Sequence, residues 1–272
     1  MLIDAHVHLF PDRLAEAVRT WFDRHAWPIR YRESAEALIG KLQAGGFDRA
    51  VALPYAHKAG MAVALNAFTL DLSRRHPFVV PCCTVFPGEE GQEKILDEAL
   101  GRDGFAGVKL HSHVQRITPD DPRCDAAWRA SARYKKPIVF HCGREPAIAG
   151  YGVDVKQFSG ADRLERALDK HPGAIAIVPH LGADEFVAFE ALLSKLPNLY
   201  LDTTMMLSGF FAMKPDPEVL RRHPRRILYG TDFPNLPYEW TREYEVVKAL
   251  QLSADDEAAV LGGNAARLFG IV

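Results

Sequence analysis

Two histidines separated by one residue stand almost at the start of the chain, in Ile3-Asp4-Ala5-His6-Val7-His8-Leu9-Phe10. Side chains alternate across a β-strand, so His6 and His8 leave one face with Asp4, while Ile3, Ala5 and Val7 leave the other. Paired imidazoles on one face suit a divalent metal ion. Similar groups end several later apolar runs. In Ala106-Gly-Val-Lys-Leu-His111, Val108 and Leu110 share one face and leave Gly107, Lys109 and His111 on the other. In Pro137-Ile-Val-Phe-His141, Ile138 and Phe140 oppose His141. His180 closes a sixth run, and Asp202 lies in a seventh. In Arg226-Ile-Leu-Tyr-Gly-Thr-Asp232, Asp232 shares the face of Leu228 and Gly230, and the glycine leaves room beside the carboxylate. Buried ionisable groups need partners or a metal, so this many on one edge read as a site rather than as core filler.

The elements that must position these groups alternate strand and helix. After the opening strand, strands are expected over residues 49–54, 78–86, 106–111, 137–142, 174–180, 199–204 and 226–232. Helical spacing occupies residues 11–25, a Ser34-capped stretch up to Gly45-Gly46, residues 60–75 and residues 89–100. Eight strands separated by helices imply parallel pairing, because each crossover helix returns the chain to the same end. Closed, this is a single (β/α)8 TIM barrel with its active site at the C-terminal rim of the strands. The open, doubly wound alternative is weakened by the absence of a Gly-x-Gly-x-x-Gly fingerprint.

Composition narrows the classes of partner. The 272 residues are 48% hydrophobic and 25% charged, with a formal net charge of −2. That suits one globular domain over residues 1–272, and it offers no field for nucleic acid or an anionic membrane. Cys82, Cys83, Cys124 and Cys142 form no Cys-x-x-Cys motif, so a reduced, cytoplasmic setting is expected. No apolar run approaches the ~18 residues of a membrane span. A small-molecule substrate is the expected partner, and a homodimer is the base-rate expectation for assembly.

Together these segments resemble the amidohydrolase superfamily. The likeness rests on the His-x-His of the first strand, Gly-Val-Lys-Leu-His of the fourth, Val-Phe-His-Cys-Gly of the fifth, Val-Pro-His-Leu-Gly of the sixth and Tyr-Gly-Thr-Asp-Phe-Pro of the eighth. It extends to Leu261-Gly-Gly-Asn-Ala-Ala-Arg-Leu-Phe269. Within the superfamily it is greatest to the amidohydrolase-related branch, which holds TIM-barrel metal-dependent hydrolases and aromatic or picolinate-type carboxylate decarboxylases. The resemblance implies that His6, His8, His141 and Asp232 hold a divalent metal, and that His180 is a ligand of a second metal or a catalytic base. It also leaves Lys109 either as a carbamylated bridge between two metals or as a cation facing a substrate carboxylate, Asp4 or Asp202.

Zinc is the first choice for such ligands, and manganese, iron and cobalt also accept them, at one or two ions per chain. A bound cation brings its water toward neutral pKa. Asp232 would shuttle the proton, and His180 with Lys109 or Arg144 would stabilise an oxyanion, giving hydrolysis of an amide, ester or lactone. The alternative with the same ligands is a non-oxidative decarboxylase or lyase of an aromatic or unsaturated acid, using Lys109, Arg144 and His180. A barrel that binds metal or ligand without turnover is the third reading. His111, His113 and Arg144 are the expected substrate contacts, with Glu145 beside Arg144. Phe10, Tyr55, Tyr151, Phe210 and Phe211 are expected to supply apolar walls, whereas His25, His57, His76, His171 and His223 read as surface residues.

Overall fold

The protein is described by a computed structural model over residues 1–144 and 148–272. Eight parallel strands form one sheet in chain order: β1 (Ile3–Val7), β2 (Arg49–Ala52), β3 (Val79–Thr84), β4 (Gly107–His111), β5 (Pro137–His141), β6 (Ile175–Val178), β7 (Leu199–Asp202) and β8 (Ile227–Leu228). The ring closes between last and first strands. Ala5 N–H donates to Tyr229 O at 3.0 Å, and Asp232 N–H donates to His6 O at 3.0 Å. This is the (β/α)8 TIM barrel expected from the alternation of elements.

Strand alternation divides the apolar residues into two layers. Val108, Leu110, Ile138 and Phe140 face outward into the layer under the helices, where Trp128 is fully buried. Val51, Leu53, Cys82, Val139, Ile177 and Leu228 face inward and pack on one another. Leu268 and Phe269 of the C-terminal helix Asn264–Phe269 join that inner cluster and close the N-terminal end of the barrel. Gly107 permits this closure, since a Cβ there would stand 2.8 Å from Pro137 O and 3.3 Å from the Phe269 ring. The polar ends of the strands are left to the opposite rim.

β1 departs from simple alternation. Ile3 and Ala5 belong to the inner cluster, whereas Val7 belongs to the outer one. The cause is a register irregularity between Asp4 and Val7 against β2, which shifts the side-chain phase by one residue before the histidines. Asp4 therefore leaves the histidine set. It accepts from Thr231 N–H at 3.1 Å and Thr231 Oγ1–H at 2.6 Å.

β8 is also shorter than its apolar run. The chain leaves the ladder after Leu228, and Asp232 has a φ of +75° in the turn that Asp4 anchors. Ser34 caps the helix Ala35–Ala44 as expected, its side chain accepting from Ala37 N–H. Among the described residues, no helix is long and apolar enough to cross a membrane.

Candidate active site

His6 and His8 both use one ring nitrogen to fix the direction of the other. His6 Nδ1 lies 2.8 Å from Asp202 Oδ2 at the end of β7, and His8 Nδ1 lies 2.8 Å from Leu53 O beyond β2. Each pairing places the Nδ1 hydrogen, so the Nε2 lone pair becomes the available donor. The Nε2 atoms converge on Asp232 Oδ1, at 3.5 Å from His6 and 3.1 Å from His8. Ligand atoms of all three residues lie within 4.8 Å of one another, and all three are buried. A carboxylate facing two oriented imidazole nitrogens fits a divalent ion.

Burial sets the charges around this group. It holds the His6 imidazole well below its ordinary pKa, and the charges of Lys109 and the neighbouring histidines act in the same direction. Burial raises Asp232, but the close approach of His8 and nearby positive groups outweigh it, so the carboxyl lies below its usual range. Lys109 is fully buried on β4 with Nζ 3.3 Å from His6 Nε2. Burial lowers its pKa to about 8, against the opposing pull of Asp202 and Asp232. The arrangement at His6 sets a neutral donor beside the anionic Asp232 carboxylate, while burial raises the Asp202 carboxyl to about 6.

His180 approaches from the end of β6. Its Nδ1 lies 3.0 Å from Thr204 O, so Nδ1 carries hydrogen and Nε2 occupies the other side of the ring. Its centroid is 4.7 Å from that of His141 and 5.9 Å from that of His6. His141 itself stacks on His111 at 4.0 Å and stands with His111 and His113 in a second group, whose ligand atoms also lie within 4.8 Å. Behind the two strand ends, the β5 and β6 loops touch. A Cβ on Gly143 would stand 2.5 Å from the Gly182 backbone, which gives the Cys-Gly and Leu-Gly of those loops a packing reason.

These groups open into a cavity of about 300 Å³. His8, His111, His141, His180 and Asp232 line its polar side, and Trp27, Tyr55, Tyr151, Met205, Met206 and Phe211 form much of the remainder. Four of its lining residues have positive φ: His180 at +58°, Ala183 at +52°, Met205 at +62° and Asp232 at +75°. Side chains other than glycine rarely adopt that region, and such strain collects at functional sites where surrounding packing enforces it. Buried Glu243 supplies part of the enforcement by accepting from Met205 N–H and Leu207 N–H, both at 2.9 Å.

Several residues singled out in the sequence lie elsewhere. Lys109 sits beneath His6 and does not line the cavity. Arg144 turns aside, its guanidinium 3.8 Å from Glu185 and its backbone N–H donating to the same carboxylate. Glu145 lies outside the described residues. His113 lines a neighbouring cavity with His57, which is half-buried rather than on the surface. His25 is exposed but stands at the mouth of the first cavity. Phe10 packs parallel to His8 at 6.0 Å instead of lining the main cavity, and Phe210 is exposed. Trp27, Phe22, Asn235 and the three methionines of the walls come from loops and from α1 (Asp12–His25), where their spacing carries no common signal.

A parallel eightfold barrel places these imidazole and carboxylate groups at its C-terminal rim, where barrel enzymes carry their active sites and where the groups could hold a metal ion. The amidohydrolase family profile matches residues 3–271, and the chain belongs to that family. It is therefore an enzyme of the amidohydrolase superfamily. The fold is similar to 5-carboxyvanillate decarboxylase from Novosphingobium aromaticivorans, solved with manganese and a hydroxy-methoxy-nitrobenzoic acid. That match has 17% identity and a TM-score of 0.71, covering 99% of this chain and 97% of that one. 2,6-Dihydroxybenzoate decarboxylase from Rhizobium matches at 16% identity and a TM-score of 0.69, covering 99% and 98%. 4-Oxalomesaconate hydratase from Rhodopseudomonas palustris matches at 15% identity and a TM-score of 0.68, covering 100% and 96%. No curated protein sequence matches significantly.

Proposed function

We propose that the protein is a metal-dependent non-oxidative decarboxylase acting on a small aromatic or unsaturated carboxylic acid. The observation that carries this reading is the placement of His180. Its Nδ1 is tied to Thr204 O, and its ring faces the group formed by His6, His8 and Asp232 in a cavity walled by aromatic and thioether side chains. Such a cavity can hold a flat, conjugated acid away from water and set one proton carrier against it. The two similar folds that are aromatic-acid decarboxylases agree with the reading.

His6, His8 and Asp232 are the residues that hold the metal, with His141 as the further imidazole offered to it. Zinc suits these ligands, and manganese is the ion in the relative named above. When bound, the ion supplies positive charge that orients the substrate carboxylate and any oxygen beside it. Tyr55, Trp27 and Tyr151 enclose the substrate ring and exclude water, which strips the carboxylate of hydration. His180 Nε2 then delivers a proton to the carbon that bears the carboxylate. The carbon–carbon bond breaks, carbon dioxide leaves, and the electron pair remains with the ring carbon in its new carbon–hydrogen bond. Solvent returns the proton to His180, so the reaction consumes one proton and no water.

Hydrolysis of an amide, ester or lactone would use the same metal ligands. Both reactions were expected to draw on Lys109 and Arg144, and neither residue lines the cavity, so of that set His180 alone among the described residues faces the ligand space. The test is a comparison of two substrate panels with metal-loaded protein. Carbon dioxide release from hydroxylated benzoates and unsaturated acids, without cleavage of amides, esters or lactones, is expected. The reverse pattern would contradict the proposal.

A further inference from the structure

A second cavity of about 340 Å³ adjoins the first, and the two share Phe22, Tyr55, His111 and Tyr151 in their walls. They are neighbouring lobes of one cleft. Ligand sites for drug-sized molecules run from roughly 300 to 1,000 Å³, so one lobe suits a single-ring acid and both together suit a larger one. The second lobe is lined on one side by Leu14, Ala17 and Trp21 of α1, with Trp21 and Tyr151 at a centroid separation of 5.0 Å. Val114 contributes another apolar surface.

Two polar features interrupt that apolar lining. His57 Nδ1 is buried and has no hydrogen-bond partner, so the wall contains an unused polar atom. Arg116 stands at the edge, exposed and at a φ of +53°, where it ends the short helix Ser112–Gln115. No carboxylate among the described residues pairs with its guanidinium. Apolar walls leading from the acid site to a cation with no carboxylate partner among the described residues define the shape and charge of what fills them.

Building on the decarboxylase reading, we propose that the substrate is an elongated aromatic acid. Its reacting ring occupies the lobe at His180, and a ring-bearing apolar arm occupies the second lobe, with an anionic end toward Arg116. His57 offers a hydrogen bond to a polar atom on the arm. Burial of an aromatic arm supplies affinity, and the two-lobed shape selects against acids too short to span it.

The experiment is calorimetric binding to the metal-loaded full chain with three probes. They are salicylate, salicylate carrying a phenyl ring on a two-carbon tether, and the tethered compound with a second carboxylate on its outer ring. The tethered ring is expected to improve affinity about tenfold, equivalent to ~1.4 kcal/mol. Ala17→Trp, at an exposed position on the rim of the second lobe, is expected to remove that gain and leave salicylate within about twofold. Arg116→Gln is expected to remove only the additional gain from the second carboxylate.

Tethered probes that bind no tighter than salicylate would overturn the proposal, as would a gain that survives Ala17→Trp or failure of every probe to bind. A second carboxylate that adds nothing would overturn the anionic end. Carbon dioxide release, measured on the same samples, separates this proposal from the reaction on which it rests. The affinity pattern without release would retain the elongated ligand and reject decarboxylation. Release from salicylate without the affinity pattern would do the opposite.

Discussion

His6 Nδ1 and Asp202 Oδ2 stand 2.8 Å apart with both side chains buried, joining the first strand of the barrel to the seventh. Asp202 thereby chooses which nitrogen of His6 faces Asp232. Removing it would free the ring and also remove negative charge near Lys109. Asp202→Ala is expected to weaken metal affinity roughly 10–100-fold with the barrel still folded. Competition against a chelating indicator, with circular dichroism as the folding control, checks this. Unchanged affinity would show that His6 needs no such partner.

His180 is expected to move a proton rather than to hold the fold. His180→Asn should lower turnover by roughly 10²–10⁴-fold, the usual contribution of a positioned acid or base. Metal content and substrate affinity should change little. Metal analysis and calorimetry distinguish this result from loss of the metal site, which would empty the protein of metal as well.

His57 gives a pH dependence with a definite sign. Burial, assisted by the charge of His8, lowers its pKa from 6.5 to about 4. Between those values the unfolded chain binds a proton that the folded chain does not, so stability rises with pH across that window. His57→Gln is expected to flatten this part of the stability profile, measured by urea unfolding at several pH values. A folded-state imidazole signal that titrates near 6.5 would contradict the environment described here.

Gly143 and Gly182 test the contact behind the two histidines at the ends of β5 and β6. An added Cβ at Gly143 meets backbone, which cannot rotate away. Gly143→Ala is expected to cost roughly 1–3 kcal/mol of stability and to weaken substrate binding by displacing His141 or His180. Thermal unfolding together with ligand titration would detect both effects. Unchanged stability would mean that the loops separate easily.

Legibility in the sequence followed periodicity. Alternation placed Lys109, His111 and His141 on the inward faces of β4 and β5, because Val108, Leu110, Ile138 and Phe140 mark the outward phase unambiguously. It failed at β1, where an irregularity after Asp4 reverses the phase between Ala5 and Val7 without any glycine or proline to announce it. Facing inward was also insufficient for reaching the cavity. Lys109 is one inward position below His111, and that depth puts it under His6 instead of beside the ligand space.

The walls were less legible because loops carry no repeating phase. Tyr55, Tyr151 and Phe211 could be named as aromatic candidates, but nothing local distinguished them from Phe10 or Phe210. Trp27, Met205, Met206 and Met213 reach the cavity only through the paths of their loops. His57 shares this cause: its burial depends on Tyr55 and Phe10, whose rings lie 5.0 and 6.2 Å away, rather than on a helical or strand pattern.

The most direct test is carbon dioxide release from an aromatic acid by metal-loaded protein in heavy water, beside His180→Asn and Asp232→Asn. One equivalent of carbon dioxide per acid consumed, with one deuterium on the carbon that bore the carboxylate and loss of turnover in both variants, is the expected result. Acid consumed without carbon dioxide, or cleavage of an amide, ester or lactone by the same samples instead, would contradict decarboxylation at this site.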